Sequence, residues 1–318
     1  MSVLFLTNGL LTTIQDTGRF GFRQFGINPN GAMDARAVRL INILLGNNER
    51  DGVLEIHYPA PRILFEQSAL FALGGADFAA EIGNRKIENW RIIAAEQNEI
   101  LNFTHKIKGS RVYLTIGGGF KLEKWLDSYS TNLKAEAGGF SGRAVKKDDR
   151  LFFKSEFQIP DSRFHYKISR RLIPDYSDFP EIRVLPGAEW NNLTNASQTV
   201  FLNSIFTIGR QSDRMGFRLR GEKLIFRESI KLISSAVNFG TVQLPPSGEP
   251  IILMADHQTI GGYGRIAQVI AQDLPLLAQL GAGDRLRFKM TTLVDAENLT
   301  AAFEKQLNWL KIGCRLRA

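Results

Sequence analysis

Apolar residues in this chain come in short runs broken by glycine and polar residues, the pattern of many short strands rather than long helices. The runs predict strands at Leu10–Ile14, Arg62–Phe65, Ala69–Leu73, Arg91–Ala94, Ile100–Phe103, Arg111–Ile116, Leu151–Phe153, Ile182–Leu185, Thr241–Leu244, Ile251–Met254 and Arg285–Phe288. The 29 glycines suit a sheet-rich fold that turns often. Three stretches carry helical spacing instead. The first is Ala35–Leu45, with Val38, Ile41, Leu44 and Leu45 on one face, Asp34 as a cap and Gly46 as a stop. A second, Arg265–Leu280, places Ile266, Val269 and Ile270 together; Pro275 must kink or restart it, with Asp273 capping the second piece. The third, Asp295–Leu310, aligns Leu299, Phe303 and Leu310 in a stripe read as packing.

The stretch Lys154–Pro180 is polar and interrupted by Pro160, Pro174 and Pro180, so it reads as a connection. The expected domains are therefore 1–175 and 176–318. Arg19-Phe-Gly-Phe-Arg23-x-x-Gly26 returns as Arg214-Met-Gly-Phe-Arg218-x-x-Gly221, and Pro61 to Gly74-Gly75 resembles Pro250 to Gly261-Gly262. Two similar matches in the same order predict two β-rich halves related by internal duplication.

Composition narrows the class. Hydrophobic content of 44% and charged content of 23% are those of a soluble globular protein. Runs such as Leu70–Leu73 and Ile251–Ala255 are too short to span a bilayer, and the first residues have no basic flank or cleavage site, so a cytoplasmic location without membrane attachment is expected. Cys314 is the single cysteine, which fits a reducing compartment, and no Cys/His cluster has metal-ligand spacing. The net charge of +8 is spread along the chain with no nucleic-acid-binding motif; it predicts a basic surface facing acidic partner proteins or anionic substrates.

Four segments carry candidate chemistry. In Thr12-Thr-Ile-Gln15-Asp16-Thr-Gly18-Arg19-Phe-Gly21-Phe-Arg23, Arg19 suits a substrate carboxylate and Asp16 suits an orienting group or base. Equally, this is a turn in which Asp16 accepts backbone N–H groups and Arg19 braces a loop. Asn28-Pro-Asn-Gly31-Ala-Met-Asp34 leads into the first helix, where Asp34 suits a cap or the loop suits an anion. Ser212-Asp213-Arg214-Met-Gly216-Phe-Arg218 again sets an acid beside two arginines. In Met254-Ala-Asp256-His257-Gln258-Thr259-Ile-Gly261-Gly262-Tyr263-Gly264, Asp256 and Tyr263 suit proton transfer, and Gln258 and Thr259 suit an amide or carboxylate. There, Gly261 and Gly262 would let backbone approach a ligand. Gly117-Gly-Gly119 forms neither a dinucleotide fingerprint nor a phosphate loop. No complete nucleophile, metal or phosphate motif is present, so a site completed by another protein is expected.

Gly9-Leu-Leu-Thr-Thr-Ile-Gln-Asp-Thr-Gly-Arg-Phe-Gly21, Gly31-Ala-Met-Asp34, Leu44-Leu-Gly-Asn47, Leu54-Glu-Ile56, Arg183-Val-Leu-Pro-Gly187, Ser212-Asp-Arg-Met-Gly216 and Asp256-His-Gln-Thr-Ile-Gly-Gly-Tyr263 resemble the biotin-dependent carboxyltransferase-like family, also called the allophanate hydrolase subunit 2 or KipA family. The resemblance runs from Gly9 to about Phe288. It implies a mainly β fold of two cyclophilin-like β-barrel domains with a few helices, and a smaller KipI-type partner that shares the active site. For stand-alone members it implies ATP-dependent opening of the lactam 5-oxoproline to glutamate, together with a KipI-type B subunit and an A-type subunit of 5-oxoprolinase. ATP then acts at the level of the complex, and the chain alone is inactive. The alternatives are a biotin-dependent carboxyltransferase component for urea or a similar amide, and a KipA-type regulatory binder of a kinase inhibitor. The expected site comprises Asp256, Tyr263 and Asp16 as catalytic groups, with Gln15, Arg19, Arg218, Gln258, Gly261 and Gly262 around the substrate. The sequence departs from the family at Gly264, where proline is usual, at Thr259-Ile260 for Thr-Thr, and at Asn132, where aspartate is usual.

Overall fold

The structure, a computed structural model, describes residues 1–83, 85–154, 166–228 and 232–316. Among these it is mainly β, with four α-helices: α1 (Ala35–Leu44), α2 (Asn195–Asn203), α3 (Leu274–Ala278) and α4 (Leu293–Arg315). The chain forms two compact units, one of Met1–Arg19, Asn30–Pro174 and Glu304–Ala318, the other of Phe20–Pro29 and Asp175–Phe303. Among the described residues no helix is long and apolar enough to cross a membrane.

The first unit holds two antiparallel sheets. One is six-stranded, in the order Arg150–Phe152, Ser2–Phe5, Ile63–Phe65, Ile100–Phe103, Ala80–Ile82, Arg85–Lys86. The other is five-stranded, in the order Thr12–Gln15, Val53–His57, Lys108–Ile116, Ala69–Asp77, Ile93–Ala95. Period-2 alternation sends Ile14, Leu54, Ile56, Val112 and Leu114 from the second sheet into one core with Phe5, Phe65 and Phe71. Each such buried side chain contributes about 1.5–3 kcal/mol.

The opposite face of the five-stranded sheet carries a polar row. Thr13, Glu55 and Tyr113 lie in one row across three strands. The fully buried Glu55 carboxylate accepts from the Tyr113 hydroxyl and from the Met33 amide, both at 2.9 Å. The same hydroxyl accepts from the Asp34 amide at 2.9 Å, and the Asp34 carboxylate caps α1 through the Ala37 amide at 2.9 Å. Burial first, and then the Glu55 charge, hold the Tyr113 phenol well above its usual range. A buried carboxylate thus fixes the loop entering α1 and with it the direction of the helix.

The second unit is a closed seven-stranded barrel, in the order Glu181–Pro186, Gly264–Val269, Thr241–Leu244, Ile251–Leu253, Gly216–Arg220, Phe206–Ile208, Arg285–Met290. A parallel pairing of the first and last of these strands closes it. Val242, Ile252 and Phe217 form one inward row, all buried; Gln243, Ile251 and Arg218 form the adjacent outward row. α2 lays Phe201 flat on Phe288, with ring centroids 4.3 Å apart.

All eleven expected strands form, with ends shifted by a few residues. The expected helix Arg265–Leu280 does not. Residues Gly264–Val269 are a strand, and only Leu274–Ala278 is helical, restarting with Pro275 in its first turn. Between Val242↔Ala267 and Gln243↔Arg265 the register shifts, so Ile266 is an extra, bulged residue. That bulge spaces Ile266 and Val269 by three and imitates a helical face. Asp273 makes no side-chain cap; its carboxylate instead takes a two-pronged bond from Arg183, at 3.0 Å from Nε and 2.6 Å from Nη2. The two Arg-x-Gly-Phe-Arg copies differ locally, a 3-10 turn at Arg23–Phe25 in one and the strand Gly216–Arg220 in the other. Of the connection Lys154–Pro180, residues 155–165 lie outside the described residues.

Candidate functional site

In the first unit, Gln15 ends a strand and Asp16 begins the turn after it. The Asp16 carboxylate accepts from the Gly18 amide (2.8 Å), the Ser128 hydroxyl (2.8 Å), the Ser130 hydroxyl (2.5 Å) and the Tyr129 amide (2.7 Å). Arg19 is 1% exposed; it donates from Nε to the Trp125 carbonyl (3.1 Å), from Nη1 to Asn30 Oδ1 (3.0 Å) and from Nη2 to the Ser130 carbonyl (2.8 Å). Its guanidinium also sits 4.2 Å from the Trp125 ring centroid, a cation–π contact. Of the two readings the sequence leaves open, these bonds match the bracing turn. Gln15, also buried, donates to Thr13 Oγ1 at 3.1 Å and more weakly to the Thr131 carbonyl at 3.4 Å. The turn is packed so closely that Gly31, at φ +93°, would put a Cβ 2.9 Å from the Gly18 Cα. Asn132 accepts from the Lys134 and Ala135 amides at 3.1 and 3.0 Å, so a neutral amide closes the turn where the family carries aspartate.

In the second unit the strand Ile251–Leu253 runs into the loop that holds Asp256, Gln258 and Tyr263. Asp256 is gripped by Arg214, Nε to Oδ2 at 2.8 Å and Nη2 to Oδ1 at 3.0 Å, with side chains 7% and 16% exposed. Backbone bonds repeat the link, since the Asp256 amide donates to the Arg214 carbonyl and the Met254 amide to the Met215 carbonyl. The partner of Asp256 is thus Arg214, while Asp213 accepts the Met215 and Gly216 amides and merely shapes its own turn. His257 is buried, its Nδ1 2.6 Å from the Gln258 carbonyl; burial first, and then the nearby Arg23 charge, hold its pKa below the usual histidine value.

Above this pair the loop turns outward. Gln258, Gly262 and Tyr263 are exposed, Tyr263 at 47%. A short ladder, Ser235–Ala236 with Ile260–Gly261, lies over the outward face of the barrel, where the buried Gln243 reaches toward the Tyr263 carbonyl at 3.5 Å. Gly261 lies against Gln243, where an added Cβ would fall 2.5 Å from Gln243 Nε2. At Gly264 a Cβ would fall 2.5 Å from the Phe226 ring, so Phe226 occupies space that the family's proline would need. Arg218 is exposed and shares an outward row with Ile251 and Gln243. It stands two strands from Gln243, about 10 Å at the usual strand spacing. In the second unit Arg218 is thus exposed on the outward row of the barrel, and Gln258 and Tyr263 are exposed on the 256–263 loop that Gln243, Arg214 and Asp256 support. Sequence reasoning missed Gln243; its only signal was a polar residue inside the apolar strand Thr241–Leu244. Among the described residues no group of acidic, histidine or cysteine side chains is arranged to hold a metal ion.

Residues 25–290 match the family of the carboxyltransferase domain, subdomains A and B, and the chain belongs to it. It is 36% identical to the C subunit of 5-oxoprolinase from Haemophilus influenzae over 299 residues, 94% of each chain. To the C subunit of 5-oxoprolinase from Escherichia coli it is also 36% identical, over 97% of this chain and 96% of that one. Among solved structures, the Kluyveromyces lactis urea carboxylase superposes with a TM-score of 0.91 at 26% identity, covering 98% of this chain but 29% of that larger protein.

Proposed function

We propose that this chain is the C-type component of an ATP-dependent 5-oxoprolinase, working with a KipI-type B component and an A component in the cytoplasm to hydrolyse 5-oxoproline to glutamate. The observation that carries the reading is the 36% identity to two proteins of that name across nearly their whole length. The outer face of the barrel suits such a substrate. Arg218 offers a two-pronged donor to its carboxylate, and Gln258 offers both a donor and an acceptor to the lactam. The Tyr263 hydroxyl supplies a proton to the ring nitrogen as the C–N bond breaks, and the water that adds to the carbonyl carbon returns a proton to the Tyr263 oxygen. Asp256, committed to Arg214, orients the loop. Gln15, Asp16 and Arg19 brace a turn in the other unit. ATP, held elsewhere in the complex, would supply a phosphoryl group to the lactam oxygen, released as inorganic phosphate when the ring has opened.

The test is turnover. Glutamate and ADP should form when this chain is added to its two partner proteins with 5-oxoproline and ATP, and not when any one of the three is left out; no turnover in the complete, folded mixture refutes the reading. The likeness to urea carboxylase keeps one second reading, carboxyl transfer from a biotin carrier to urea, which predicts carrier-dependent carboxylation of urea by the same chain.

A further inference from the structure

We infer that Arg23 is a positioning residue for the 256–263 loop, closing it from the side without touching substrate; the inference rests on that loop belonging to the site. Arg23 opens a 3-10 turn that Gly26 ends in the left-handed region at φ 76°, its N–H returning to the Arg23 carbonyl. This turn belongs to the same compact unit as the barrel. From it the guanidinium donates through Nη1 to Asn238 Oδ1 at 2.6 Å, and through Nη2 to the Val237 carbonyl and, at 3.5 Å, to the Thr259 carbonyl.

Those acceptors mark one place in the fold. Val237 and Thr259 follow and precede the two strands of the short ladder Ser235–Ala236 with Ile260–Gly261, and the Val237 amide donates to the Thr259 carbonyl at 3.3 Å. A ladder of two residue pairs is marginal by itself. Arg23 clamps its open end: Nη2 reaches the carbonyls of both strands while Nη1, the other arm of the planar fork, holds the Asn238 side chain. Five residues on, Asn28 Nδ2 donates to the Asp256 carbonyl at 3.1 Å, so one segment holds the loop at Asp256 and at Thr259. Gln258 lies between these two anchors, and Tyr263 lies just past the ladder. A lysine ammonium is a single point of charge and cannot reproduce the fork. Of the two arginines in Arg19-Phe-Gly-Phe-Arg23, Arg19 thus braces the first unit and Arg23 the loop of the second.

The test pairs hydrogen exchange on the full chain with kinetics on the reconstituted complex, using Arg23→Ala and Arg23→Lys. In Arg23→Ala the amides of residues 235–237 and 259–261 should exchange at least about tenfold faster, while the barrel strands 241–244 and 264–269 keep their protection. Arg23→Lys should fall between Arg23→Ala and the wild type. In the complex, kcat/KM for 5-oxoproline should drop by about 10–100-fold in Arg23→Ala and less in Arg23→Lys, as expected when contacts are misplaced by about an ångström. Unchanged exchange at the ladder, or acceleration spread evenly over the barrel, overturns the positioning role. If the wild-type complex shows no turnover of 5-oxoproline, the proposed function falls, and the exchange result still decides the role of Arg23.

Discussion

The Arg214–Asp256 pair is where the structure makes its most quantitative demand. Both side chains are mostly withdrawn from water and joined by two bonds at 2.8 and 3.0 Å. A hydrogen bond to a charged group contributes about 1.5–3 kcal/mol net, and stranding one member of a fully buried pair costs about 3–5 kcal/mol. The Asp256 side chain retains 16% exposure, so water recovers part of that loss. Asp256→Leu or Arg214→Met alone should therefore destabilise the barrel by about 2–4 kcal/mol. Each single variant leaves a partner stranded, whereas Arg214→Met/Asp256→Leu leaves none. The double variant should lose less than the two single losses added together, by a coupling of about 1.5–3 kcal/mol. The assay is hydrogen exchange of the strands 216–220 and 251–253, in which about 1.4 kcal/mol appears as a tenfold change. Additive losses would show that the two residues act separately and that this pair does not hold the loop.

Two further outcomes follow from buried groups. Tyr113→Phe removes a hydroxyl that serves both the Glu55 carboxylate and the Asp34 amide, and should cost about 1–3 kcal/mol in urea unfolding of the first unit; a loss under about 0.5 kcal/mol, typical of surface changes, would contradict the lock on α1. His257 has a folded-state pKa below its ordinary 6.5, so the unfolded chain binds more protons there and stability rises with pH through that window. The contribution is present above about pH 6.5 and is lost as pH falls through the lower folded value; His257→Gln should flatten this part of a stability–pH profile, and an unchanged slope would refute it.

Much of the fold was legible because burial imposes a period on the sequence. Strands such as Ala69–Asp77 and Lys108–Ile116 are apolar enough to stand out. Val53–His57 escaped notice because Glu55 breaks its apolar run, and that carboxylate is tolerated there with donors from residues 33 and 113, far apart in sequence. The strand Gly264–Val269 looked helical because its bulge spoils the alternation. At the candidate site the loop was readable from its density of polar groups. Which group faces water was not. Sequence alone cannot tell Asp256, tied to Arg214, from the exposed Gln258 a step away, nor Arg19, sealed under Trp125, from Arg218 on an open face.

The measurement that bears most directly on the account is a substrate-by-variant comparison in the complete three-protein complex. Wild-type and Arg218→Ala chains would be assayed with 5-oxoproline and with 2-pyrrolidinone, the same lactam without its carboxylate. If the outer face of the barrel binds the substrate as described, the wild-type complex releases glutamate from 5-oxoproline. Arg218→Ala then lowers kcat/KM for 5-oxoproline by about 10–150-fold, the value of one charge-assisted contact, and leaves the weaker reaction of 2-pyrrolidinone nearly unchanged. An equal loss on both lactams, or no loss on either, would contradict it.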